Sequence, residues 1–220
     1  MKFAYWAWLT AMMLLLSPLE ALGSGPDSAN AGGNPGAASR SSGATDPMIN
    51  PPASEPPLTL LPQPSNWRGE RLLLPPPFAP ELPFQGAVEL RFAPGMYDPA
   101  AEDFLTLLFV FELVRRKGLT ADAVEQLLLG YYRGLCRTVS TQQGRQCAPE
   151  HIALQLDPVM GGYQARLDWP EPYVTGASQR LYLELQPHQL EGGVHLSGAL
   201  SAKPWDDPLW SQLRRMVPNR

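Results

Sequence analysis

DPAAEDFLTLLFVFELVRRKGLTADAVEQLLLGYYRGLC, residues 98–136, reads as two helices joined by a tight turn. Asp98 stands at an N-cap position with Pro99 at the first helical site, and Glu102 and Asp103 follow where a helix N-terminus favours negative charge. Arg115, Arg116 and Lys117 then sit at the negative end, with Gly118 as a C-terminal cap. Thr120 caps the second segment, in which Val124, Leu127, Leu128, Tyr131 and Leu135 form one apolar stripe. The first segment is unusually greasy. Wound at the helical period, Phe104, Leu107, Leu108, Phe111 and Val114 face a core, yet Phe109 and Leu113 fall beside Glu102, Thr106 and Arg116. That outer face needs a cover: the second helix, the Leu-rich stretch of residues 58–83 or a partner protein. Phe109 and Leu113 are therefore candidate contact residues.

Two details inside the stretch invite a reason. Gly130 and Gly134 follow the Gly-x-x-x-Gly spacing, and each glycine costs a helix up to about 1 kcal/mol against alanine. Close approach of the first helix accounts for them, because the intervening Arg133 argues against a membrane dimer motif. Glu112 lies in an otherwise apolar run, and pairing with Arg115 or Arg116 one turn on explains it.

Upstream, Val88, Leu90 and Phe92 alternate with Ala87, Glu89 and Arg91, the signature of a half-buried strand. Downstream come four more alternating runs: Ile152, Leu154 and Leu156; Tyr163 to Trp169; Leu181, Leu183 and Leu185; and Val194, Leu196 and Leu200. Turn residues separate them, at Asp157-Pro158 with Gly161-Gly162, from Pro170 to Gly176, and from Pro187 to Gly193. Gln164, Arg166, Asp168, Arg180, Glu184, His195 and Ser197 occupy the other side, which is expected to meet water. Asp207-Pro208 opens a last short helix with Leu209, Trp210, Leu213 and Met216. The expectation is an α+β domain over residues 84–220, in the order β-α-α-β-β-β-β-α. It has two layers: an antiparallel sheet of about five strands with helices packed on one face.

The N-terminal part has a different character. Met1-Lys2, the uncharged run Phe3 to Leu16 and the small residues Ala21 and Gly23 describe a secretory signal peptide over 1–23. The alternative is an uncleaved anchor, but Pro18 and Glu20 interrupt the roughly 20 residues a span needs. Fourteen of the 25 prolines lie between Ser24 and Pro83, so this region is set apart from the globular domain. Residues 24–57 are too poor in large apolar side chains to fold and read as a disordered linker. Residues 58–83 keep the prolines but add Trp67, Leu72, Leu73 and Leu74, and read as an extended arm. The arm either lies across its own domain or docks another protein, which makes these four residues candidate contacts too.

Cys136 and Cys147 are the only cysteines, and in an exported chain they are expected to form a disulfide across the polar loop between them. A redox or nucleophilic role lacks a C-x-x-C or a neighbouring histidine. His151, His188 and His195 are scattered over different segments, so neither a metal nor a cofactor is expected. No G-x-S-x-G and no phosphate-cradling glycine loop is present. A net charge of −4 and scattered arginines give no reason to expect nucleic acid. The expected function is that of an exported, periplasmic or secreted, non-enzymatic protein-binding or accessory protein. Inhibitor or immunity proteins and envelope-complex components belong to this class, and the partner would be another envelope or secreted protein, with no membrane span after signal cleavage. A carrier holding an apolar ligand or lipid between sheet and first helix is the alternative, and an enzyme a distant third.

Overall fold

A computed structural model describes residues 58–218. The proposed signal peptide and linker lie outside these residues. Seven strands form one antiparallel sheet: β1 (Arg68–Leu74), β2 (Gly86–Phe92), β3 (Leu107–Val114), β4 (Ala153–Val159), β5 (Gly162–Pro170), β6 (Ser178–Leu190) and β7 (Gly193–Ser201). Helix α1 (Ala121–Gln142) follows β3, a 3₁₀ turn (Pro149–His151) precedes β4, and helix α2 (Leu209–Met216) ends the described chain. The spatial order β1-β2-β3-β7-β6-β5-β4 joins two meanders at the β3–β7 pair. Sequence reading expected about five strands; the two additional ones are β1 and β3.

The expected first helix is a correction. Its apolar run LLFVFELV is the strand β3, near the middle of the sheet between β2 and β7. Leu107, Phe109, Phe111 and Leu113 enter the core under α1, while Leu108 and Val110 enter a second core on the other face. A strand buried on both sides loses its alternation and resembles a buried helix. The helix-start signal at Asp98 is an Asx turn instead: its carboxylate accepts the Ala100 N–H at 2.9 Å. Asp103 accepts the Gly95 N–H across the same loop. Leu105 and Arg115, both at positive φ, bracket the strand.

Helix α1 begins where expected, with the Thr120 hydroxyl accepting the Ala123 N–H. It continues past Cys136 to Gln142, so the polar loop of the sequence reading is largely helical. Its buried Val124, Leu127, Leu128, Tyr131 and Tyr132 pack on the odd-numbered residues of β3 and on Leu167, Trp169, Leu181 and Leu183. Gly134 allows the backbone of Phe78 and Ala79 to approach: a Cβ there would sit 2.3 Å from the Phe78 carbonyl oxygen. Gly130 leaves room for the Leu82 side chain. The glycine pair thus receives the Phe78–Leu82 segment and not a neighbouring helix.

The second face is not left to water either. Helix α2 buries Trp210 and Leu213 against Leu108, Val110, Ala199 and Leu61. The expected two-layer arrangement with helices on one face is therefore corrected, because α1 and α2 cover opposite faces. The arm supplies both β1, which pairs along its whole length with β2, and the cover for part of this second face. Glu89 and Arg91, assigned by alternation to the outward side of β2, hold that cover in place. The Glu89 carboxylate is 0% exposed. It accepts the N–H groups of Thr59, Leu60 and Leu61 and a bond from Arg71. Burial pushes its pKa up, but the bonds from Leu61, Thr59, Arg71 and Leu60 outweigh it, and the net displacement is below the ordinary glutamate value. The Arg91 guanidinium donates to the carbonyls of Leu61, Pro62 and Trp67.

Candidate functional site

The contact residues expected from sequence separate into two groups. Phe109 and Leu113 are 3% and 1% exposed, so they are core residues and unavailable to a partner. Their burial follows from strand geometry, which puts both on the α1 face with Phe111. The arm residues distribute by the alternation of β1. Leu74 is buried and Leu72 packs on the larger core, while Leu73 points to the second face and is 58% exposed. Trp67 packs against the smaller core. The space between the sheet and the expected first helix, where an apolar ligand was placed, does not exist, because that segment is itself in the sheet.

Cys136 and Cys147 form the expected disulfide, with Cα atoms 5.9 Å apart. It ties the last turns of α1 to the segment leading into β4. Buried Cys136 belongs to the core.

One part of the second face that α2 and the arm leave open is an end of the sheet. Register places Leu73, Ala87, Glu112, His195 and His188 side by side across five strands. His188, expected in a turn, lies in β6, which runs beyond the end of β5 and accommodates Pro187 there. In this row the His195 Nε2 stands 3.9 Å from a Glu112 oxygen, and Arg71 reaches the other Glu112 oxygen at 3.6 Å. Glu112 is thus paired across strands, not with Arg115 or Arg116 along a helix. The His188 Nε2 is buried with no hydrogen-bond partner among the described residues. Beside this row, Val114 and Leu190 flank Gly193, and both are exposed like Leu73. Sequence reading had singled out Glu112, His188 and His195 separately. Only the strand register brings them together.

At the same end of the sheet a groove of about 360 Å³ opens between Pro75, the Leu82–Gln85 segment and the Leu113–Arg116 segment. Leu113 and Phe84 are nearly fully buried at its base. The Arg116 guanidinium lies over the Phe84 ring, 4.5 Å from its centroid.

Among the described residues no group of three or more His, Cys, Asp or Glu side chains could hold a metal ion. No helix among them is long and apolar enough to cross a membrane. Comparison with protein-family models, with curated proteins and with solved structures finds nothing that matches this chain.

Proposed function

We propose that this chain is an exported, non-enzymatic binding or accessory protein that docks another envelope or secreted protein through the open end of its second sheet face. The observation that carries the reading is the row of Leu73, Ala87, Glu112, His195 and His188 with Val114 and Leu190 beside it. Three exposed large aliphatic side chains around partly buried Glu112, which Arg71 and His195 approach, make an amphipathic patch on paired strands. Scattered surface leucines need no explanation, but apolar side chains gathered on one face rimmed by polar groups are characteristic of protein contact sites. A sheet holds the geometry without ordering loops on binding, which keeps the entropic cost of association low. The reading places the protein in the periplasm or outside the cell, on the strength of the signal-like Met1–Gly23 segment.

Photo-crosslinking in intact producing cells tests this. A photoreactive residue at position 73 or 190 should trap one discrete protein, and the product should vanish in a Leu73→Glu background when the probe is at 190. A probe at Glu125, exposed on α1 on the opposite face, is the control. No trapped protein from 73 or 190, or the same products from 125, would overturn the proposal.

A further inference from the structure

We propose that the groove between Pro75, Leu82–Gln85 and Leu113–Arg116 binds a small amphipathic carboxylate, an acid group on an aliphatic or aromatic body. This ligand site adjoins the protein contact proposed above and shares Val114 with it, but it takes a different class of ligand. Its lining is mixed: Leu113 and Phe84, both nearly fully buried, with Leu82, Pro75 and Pro83 supply the apolar part, and Gln85 and the arginines the polar part. Its volume falls at the small end of the range of natural ligand sites. The mouth is cationic. Arg115 and Arg116 line it, Lys117 follows them, and among the described residues neither arginine has a carboxylate partner within ion-pair distance. In a chain of net charge −4, the run Arg115-Arg116-Lys117 at this groove, with the Arg116 guanidinium over Phe84, is a local inversion of sign. Guanidinium forks match carboxylates two bonds at a time, and an apolar body would displace water from the exposed Pro75, Pro83 and Val114.

The two arginines are also held in advance. The Arg116 guanidinium rests over the Phe84 ring. The Gln189 side chain accepts the Gly118 N–H at 2.7 Å and donates to the carbonyls of Arg116 and Gly193, so it clamps the turn from outside. The Arg115 N–H donates to the Gly192 carbonyl at 2.8 Å, and the Val114 N–H to the Gln85 carbonyl at 3.0 Å. Arg115 has a φ of 58°, a left-handed conformation that glycine adopts freely and that a Cβ disfavours. Glycine does occupy a positive φ three residues later, at 118. An arginine kept at 115 is consistent with a use for its side chain.

Titration of the folded protein with decanoate, decanol and acetate, followed by the NMR shifts of Phe84, Leu113 and the 115–118 amides, tests the assignment. Decanoate should saturate and move these signals, decanol should bind at least about tenfold more weakly, and acetate should not saturate. Arg116→Gln should weaken decanoate about tenfold or more, with an unchanged circular dichroism spectrum. Arg115→Gly, which the backbone accepts, should weaken it while leaving the protein at least as stable. Gln189→Ala should weaken decanoate but leave decanol unaffected. Equal affinity for decanol and decanoate, unchanged binding in Arg116→Gln, shifts confined to other regions, or no saturable binding would each overturn it. Crosslinking from 73 and 190 reads a different probe, so failure of either proposal is distinguishable from failure of the other.

Discussion

Replacing Glu89 with glutamine would keep the shape and remove the charge that anchors residues 59–61. In the native protein one carboxylate oxygen accepts the Thr59 N–H and the Arg71 bond, while the other accepts Leu60 and Leu61 at 2.8 Å each. A glutamine offers only one acceptor oxygen. Turned to keep Leu60 and Leu61, it points its amide hydrogens at Thr59 and Arg71; turned the other way, it faces the buried Leu61 N–H with another donor. Bonds to a charged acceptor contribute about 1.5–3 kcal/mol against about 0.5–1.5 for neutral ones, and a buried donor without a partner costs about 1–3 kcal/mol. Arg71 recovers part of this through Glu112, 3.6 Å away, and is itself 30% exposed. The expected loss is about 2–4 kcal/mol, a large fraction of the roughly 5–15 kcal/mol that holds a domain together. It corresponds to a fall in Tm of about 4–16 °C at this size. Denaturant unfolding measures the total, and hydrogen exchange at the Leu60 and Leu61 amides locates it. Asp168→Asn is the comparison, because its pair with Arg180 is exposed and such pairs contribute less than about 1 kcal/mol. A Glu89→Gln loss under about 1 kcal/mol, with Leu60 and Leu61 still protected, would refute this account of the arm.

Acid should act on the same anchor. The folded-state pKa of Glu89 is depressed, so its contribution is complete above the unfolded value near 4.5 and disappears as pH falls through the lower folded value. Wild-type stability measured from pH 6 downward should therefore drop more steeply below about pH 4.5 than that of Glu89→Gln. Converting Cys136 and Cys147 together to serine should lose about 3 kcal/mol, the loop-closure value for a link of 11 residues, and reduced wild type should match the double variant in calorimetry. Gly134→Ala gains about 1 kcal/mol in helix propensity but drives a methyl group against the Phe78 carbonyl, so urea unfolding should report a net loss of about 1–2 kcal/mol. Arg115→Gly should move thermal stability the other way, by about +1 kcal/mol, since it relieves a left-handed non-glycine residue.

The sequence by itself determined the strands whose residue types alternate. In β2 and the four C-terminal strands one face carries the large apolar side chains of the larger core and the other mostly polar or small ones. The pattern stays visible even where, as at Glu89 and Ser197, the polar side is buried. Helix α1 was legible through its stripe and Thr120 cap, and α2 through its four apolar positions. The disulfide followed from there being only two cysteines, close in sequence. Tertiary structure alone decided the rest. β3 lies between cores on both faces, which erases its alternation and lets Asp98-Pro99 and the trailing basic residues mimic helix ends. β1 hides among prolines, and only its pairing with β2 makes RGERLLL a strand. Glu89 looks solvent-facing by alternation until the arm folds back over it. The candidate contact row depends on register across five strands, from Leu73 on β1 to His188 on β6. Residues more than a hundred positions apart become neighbours only when those strands pair, and local propensity does not encode that alignment.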